Sequence, residues 1–133
     1  MPEHIKNFLT VAESKALATY SVKNGINVVP VSTIKIIGNT IILVNYFMDK
    51  TLTNFVENNN VALVSWSKMK GYQIKGEIQY KTSGEIYESV VRWVAETIPN
   101  RVVKGIIILK PIEIYDIAPE KNTDQYLLEG NQK

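Results

Sequence analysis

Apolar positions in this chain recur at two periods, and the changes between them mark out the elements. Ile5, Phe8, Leu9 and Ala12 fall at i, i+3, i+4 and i+7, one face of a short amphipathic helix over roughly 3–13. Ala16–Val22 is small and β-prone and reads as a strand. Asn24-Gly25 behind it is a favoured pair for a tight hairpin turn. Ile26–Ile37 is the second strand, in which Pro30 predicts an edge, a bulge or a kink because proline cannot donate to a ladder. Gly38-Asn39 makes another turn and Thr40–Tyr46 a third strand, so a β-meander follows the first helix. Asp49 suits an N-cap, and Leu52, Phe55 and Val56 form the buried stripe of a short helix closing in Asn58-Asn59-Asn60.

Val61–Ser67 is the fourth strand, Lys68–Lys70 a turn and Gly71–Lys81 the fifth strand. Tyr72, Ile74, Gly76, Ile78 and Tyr80 share one face of that strand at period two. Gly76 in mid-strand marks a bulge or the close approach of another group. Ser83 is placed to cap a helix over roughly 84–98, with Ile86, Val90, Trp93, Val94 and Ile98 inward and Pro99-Asn100 as its stop. Val102–Tyr115 closes the pattern as one long strand or a pair, broken near Pro111. Strands dominate and strict βαβ alternation is absent. The expected architecture is therefore mainly β with short helices: a small closed or split β-barrel of about six antiparallel strands. One domain over 1–118 and a polar tail over 119–133 complete the reading.

Composition narrows the chemistry. The chain has 133 residues, 45% hydrophobic and 21% charged, ordinary for one globular domain with a real core. It has no cysteine, which removes thiolate catalysis, disulfides and iron–sulfur ligation. Its one histidine, His4, lies near the N-terminus, which argues against a serine–histidine–acid triad and a multi-histidine metal site. A net charge of +2 with mixed signs gives no field for nucleic acid. No apolar run approaches the roughly 20 residues of a membrane span. The N-terminus has early acids and no apolar signal region, so a soluble cytoplasmic protein is expected.

Candidate chemistry gathers where a strand gives way to a helix, within Asn45–Val64. A helix opening there presents free backbone N–H groups and the positive end of its dipole, suited to a phosphate. Lys50 and Thr51 add a cation and a hydroxyl at that opening; the plainer reading is a solvated first helical turn. Tyr72 and Trp66 can stack on a flat ring, although buried aromatics usually belong to the core. Glu77, Glu85 and Glu88 read as solvated faces, and no pair of carboxylates is placed for acid–base work.

The stretch VNYFMDKTLTNFVENNNVAL and the closing VVKGIIILKPIEIYDIAP, in this order and spacing, resemble the FMN-binding split β-barrel family. Pyridoxamine 5′-phosphate oxidase is its best-known enzyme. The similarity spans roughly Ala16 to Ala118 and is greatest to the minimal, barrel-only FMN-binding proteins. The resemblance implies a homodimer with two FMN molecules in clefts between subunits. By position it sets the stretch Pro30–Lys35 beside the isoalloxazine ring, with Val31, Ser32, Thr33 and Ile34 as ring contacts, and places Val44 and Asn45 beneath the ring and ribityl chain. It makes Lys50 the phosphate lysine, supported by Thr51, and sets Tyr72 and Gln73 near the ring from the next strand.

Two departures bear on function. The oxidase has an arginine just before its phosphate lysine; here that position is Asp49. The oxidase's C-terminal substrate-binding segment has no counterpart after Asp116, which argues against pyridoxamine phosphate oxidation itself. The resemblance leaves a flavin-dependent oxidoreductase, in which the flavin itself carries the redox chemistry, as the first expectation. Its alternatives are a non-catalytic FMN-binding or electron-transfer protein, a deazaflavin or heme variant of the barrel, and a dimer without ligand.

Overall fold

The computed structural model describes every residue except Asp49 and residues 120–133; the side chains of Lys50 and Val56 also fall outside the description. The expected Asp49 cap and nearly all of the polar tail therefore lie outside the described residues. Among the described residues, three helices and seven strands follow in the order α1 (Glu3–Val11), β1 (Ser14–Ser21), β2 (Gly25–Pro30), β3 (Ile34–Ile37), β4 (Thr40–Asn45), α2 (Lys50–Glu57), β5 (Asn60–Ser67), β6 (Lys70–Lys81), α3 (Glu85–Thr97) and β7 (Gly105–Asp116). All strands join one antiparallel sheet in the order β2-β1-β5-β6-β7-β4-β3.

The strand expected over Ile26–Ile37 is two strands, which makes seven instead of about six. β2 ends at Pro30, which has no N–H to continue a ladder, and β3 begins at Ile34. These two are neighbours in sequence and stand at opposite ends of the sheet order. The link between them is fastened on both sides: Val31 N donates to Lys15 O at 2.9 Å, and Val44 N donates to Thr33 O at 3.2 Å. The sheet thus curls until its outer strands meet through three residues, a barrel split between β2 and β3.

β4 and β7 are buried on both faces. Ile41, Leu43, Ile107 and Leu109 turn into the barrel, while Ile42, Val44 and Ile106 turn outward beneath Val90 and Val94 of α3. This double burial accounts for the continuous apolar runs IILV and GIIIL, where a one-sided strand would alternate. α1 closes one end of the barrel with Ile5 and Leu9, both fully buried, each contributing about 1.5–3 kcal/mol.

Two local expectations are corrected, and the closing strand takes one of its two expected forms. α3 is capped at Gly84, with φ 103° and no side-chain cap bond, and not by Ser83. Ile86 is 43% exposed; Tyr87 packs in that part of the outer cluster instead. β7 runs unbroken through Pro111, because β4 pairs with it only as far as Leu109. Beyond that point the register against β6 slips by one residue, between Lys75/Glu113 and Gly76/Pro111. Gly76 is required there: a Cβ would lie 2.1 Å from the Lys110 carbonyl oxygen.

Candidate functional site

The link between β2 and β3 and the end of β4 form two walls of a cavity of about 690 Å³, a size suited to a cofactor or drug-sized ligand. Val29, Pro30, Val31 and Ser32 make the first wall, and Val44, Tyr46, Phe47 and Met48 the second. Glu13, Ser14 and Lys15 before and within β1, Trp66 at the end of β5, and Arg101 complete the lining. Phe47 is 82% exposed and Trp66 41%, so aromatic surface stands open beside the cavity.

The second wall is shaped by Asn45. This fully buried side chain accepts from Met48 N at 2.6 Å and donates to the Tyr80 hydroxyl at 2.9 Å. The first contact bends the chain after β4; the second ties the bend to β6. Tyr46 donates its hydroxyl to Thr33 Oγ1 at 2.9 Å, joining the two walls, and the Arg101 guanidinium lies 4.8 Å from the Tyr46 ring centre. Arg101 is thereby held at the cavity with its charge solvated.

The helix after the bend is anchored by a buried polar network. Asn54 donates to Thr19 Oγ1 at 3.0 Å and accepts from Ser21 Oγ at 2.8 Å and from Asn24 Nδ2 at 3.2 Å. Thr51, also buried, accepts from Asn27 Nδ2 at 2.9 Å. Thr51 and Asn54 lie three residues apart, on one helical face, so both point at the β1–β2 hairpin.

Of the residues singled out from the sequence, Val31, Ser32 and Val44 line the cavity. Thr33 and Asn45 are buried immediately behind it, and the α2 segment that begins at Lys50 follows its second wall. The Lys50 side chain lies outside the description. Ile34 joins the barrel core, and Thr51 faces β2. Tyr72 is not brought to the cavity: it packs on α1, with ring centres 5.2 Å from Phe8 and 6.4 Å from His4. Burial and then the Asp116 carboxylate push its pKa up. Gln73 lies on the opposite, outer face of β6 and is not a lining residue either.

Lys15, Tyr46 and Arg101 were not found from the sequence. The signal for Lys15 is faint: inward positions of β1 are Lys15, Leu17, Thr19 and Ser21, while the apolar Ala16, Ala18 and Tyr20 face outward. Apolar alternation therefore points the wrong way on this strand. The outward face continues across Ile26 and Val28 of β2, 76% and 61% exposed, and opens a second cavity of about 440 Å³ between Tyr20, Ile26 and Ala62.

A family model described as pyridoxamine 5′-phosphate oxidase matches residues 1–126. An uncharacterized protein of Methanocaldococcus jannaschii is 35% identical over 107 residues, covering 76% of this chain and 70% of its own. Among solved structures, HupZ of Group A Streptococcus superposes with a TM-score of 0.79 at 19% identity, over 92% of this chain and 98% of that one. An FMN-binding protein from Syntrophomonas wolfei gives 0.75 at 19%, over 87% and 85%. The same fold also occurs in HutZ, the heme storage protein of Vibrio cholerae, at 0.67 and 13% over 84% and 91%, and in an F420 reductase at 0.65 and 13% over 86% and 98%.

Proposed function

The chain belongs to the pyridoxamine 5′-phosphate oxidase family, and we propose that it is an FMN-binding flavoprotein acting as a homodimeric oxidoreductase. The observation that carries this reading is the cavity between the β2–β3 link and the β4–α2 bend. Its Val31 and Val44 walls, its open aromatic residues and its cations Lys15 and Arg101, set against one carboxylate, Glu13, support a planar ring bearing an anionic tail. In this reading Ser32 meets the polar edge of the ring and Val31 its flank, while Lys50 and the first amides of α2 would take the phosphate. Thr51 and Asn45 hold that helix start and the preceding bend in place. Bound flavin supplies hydride and electron transfer; the chain's residues orient it and keep water from one face.

The second subunit fits against the apolar outer face of β2, β1 and β5. Tyr20, Ile26, Val28 and Trp66 are left open there, a composition expected of an interface and not of free surface. Trp66 is also a cavity residue, so a second copy on this face would complete the site from outside.

Heme storage is the rival that the neighbours raise. His4 packs near Tyr72, in the wall of the barrel closed by α1, and is not a lining residue of the cavity. That placement favours flavin. The test is an absorption spectrum of the purified native protein with mass analysis of what it releases on denaturation, followed by titration of the apoprotein with FMN. A flavin spectrum and submicromolar FMN binding are expected. A Soret band, a deazaflavin spectrum, or no FMN binding overturns the proposal.

A further inference from the structure

Lys15 is a charged group placed where charge is costly. It is 6% exposed, lies on the inward face of β1 and lines the cavity. Its ammonium donates to the Ala12 carbonyl at the end of α1, leaving two of its three donors without a protein acceptor among the described residues. Its ladder partner on β5 is Ser65, on the same face. The Ser65 hydroxyl is fully buried and has no hydrogen-bond partner among the described residues. Burial holds the Lys15 pKa below its ordinary value, with no carboxylate to offset the effect. Capping α1 does not require this location, since an exposed lysine interacts with a helix C-terminus equally well. The other charged wall residues, Glu13 and Arg101, are exposed and screened by water.

We propose that Lys15 sets the redox preference of the cavity: its sheltered cation meets the electronegative edge of the ring and holds reduced FMN more tightly than oxidised FMN. This rests on the flavin reading above. Oxidised FMN takes up two electrons from a reductant, dithionite in the assay, and one proton from solvent water. The proton goes to N5, and the negative charge that remains spreads over the N1–C2 carbonyl edge. A cation fixed in a dry wall acts on that charge far more strongly than one in water. The Ser65 hydroxyl continues the polar strip beside it.

The test uses the full chain loaded with FMN. Dissociation constants for oxidised and dithionite-reduced FMN are measured for the native protein and for Lys15→Arg, Lys15→Gln and Lys15→Met. The native preference for the reduced form is expected to fall about tenfold in the Gln and Met variants, equivalent to about 30 mV in a two-electron potential. Lys15→Arg keeps the preference. Lys15→Gln retains a donor for Ala12, so its loss follows the charge and not the helix cap. An unchanged preference in either neutral variant that folds and binds oxidised FMN overturns the proposal, as does a full loss in Lys15→Arg. A native chain that binds no FMN overturns the flavin reading itself; normal FMN binding with no effect at Lys15 overturns only this inference.

Discussion

Asn45 and Tyr80 are joined side chain to side chain at 2.9 Å, and Gly105 leaves the room for it: a Cβ there would stand 2.2 Å from the Tyr80 hydroxyl. The bend that walls the cavity thus depends on two residues distant in sequence. Gly105→Ala is expected to displace Tyr80 and lower stability by about 1–3 kcal/mol. Asn45→Leu leaves the buried Met48 N–H and the Tyr80 hydroxyl without this partner and is expected to cost about 2–3 kcal/mol. Urea unfolding of both variants checks this; midpoints equal to the native one would show the bend to be held by other means.

Asn54 fastens α2 to the β1–β2 hairpin through Thr19, Ser21 and Asn24. Asn54→Leu strands their buried polar groups and is expected to cost about 3 kcal/mol. Because α2 begins at Lys50, the variant should also weaken FMN more than riboflavin, which lacks the phosphate. Equal weakening of both would place the damage at the ring and not at the helix start.

Lys50→Ala is expected to reduce FMN affinity by about 1–3 kcal/mol, the range for a charged hydrogen bond. Riboflavin affinity should stay constant. Calorimetric titration with the two flavins separates the outcomes, and an unaltered FMN isotherm removes Lys50 from the phosphate seat.

Tyr72 carries a pH signature. Its folded pKa is raised, by burial first and by Asp116 second, so the folded chain keeps the phenolic proton after the unfolded chain has begun to release it. The contribution to stability is intact below the unfolded value of about 10 and is lost as pH rises from there through the folded value. Tyr72→Phe should therefore lose less stability than the native chain between pH 9 and 11. Parallel stability–pH curves for the two proteins would contradict this.

Much of the architecture was legible because alternation and turn chemistry agree over most of the chain. β6 shows it best: Tyr72, Ile74, Gly76, Ile78 and Tyr80 face inward as their spacing demands. Gly76 in mid-strand predicts a bulge or a close approach; it stands opposite the β7 bulge and is closely approached by the Lys110 carbonyl. Legibility failed where burial is reversed. β1 turns Lys15, Thr19 and Ser21 inward because Asn54 and Ala12 meet them there, and its apolar side faces out. Arg101 follows α3 in a segment with no period, so only the folded chain brings it to the Tyr46 ring. Val31, Ser32 and Val44 were anticipated through family resemblance and not through their own chemistry, since strand residues of this kind are ordinary in any sheet.

The three-residue link between β2 and β3 has a mechanical corollary. It is the suture of the barrel: the two outermost strands meet nowhere else in the sheet order, and Val31 and Ser32 within it line the cavity. A guest pressed against that suture would brace the opening it spans. Amide exchange along β2 and β3 would then slow together on loading, and the cavity would serve as the clasp of the fold as well as a seat for chemistry.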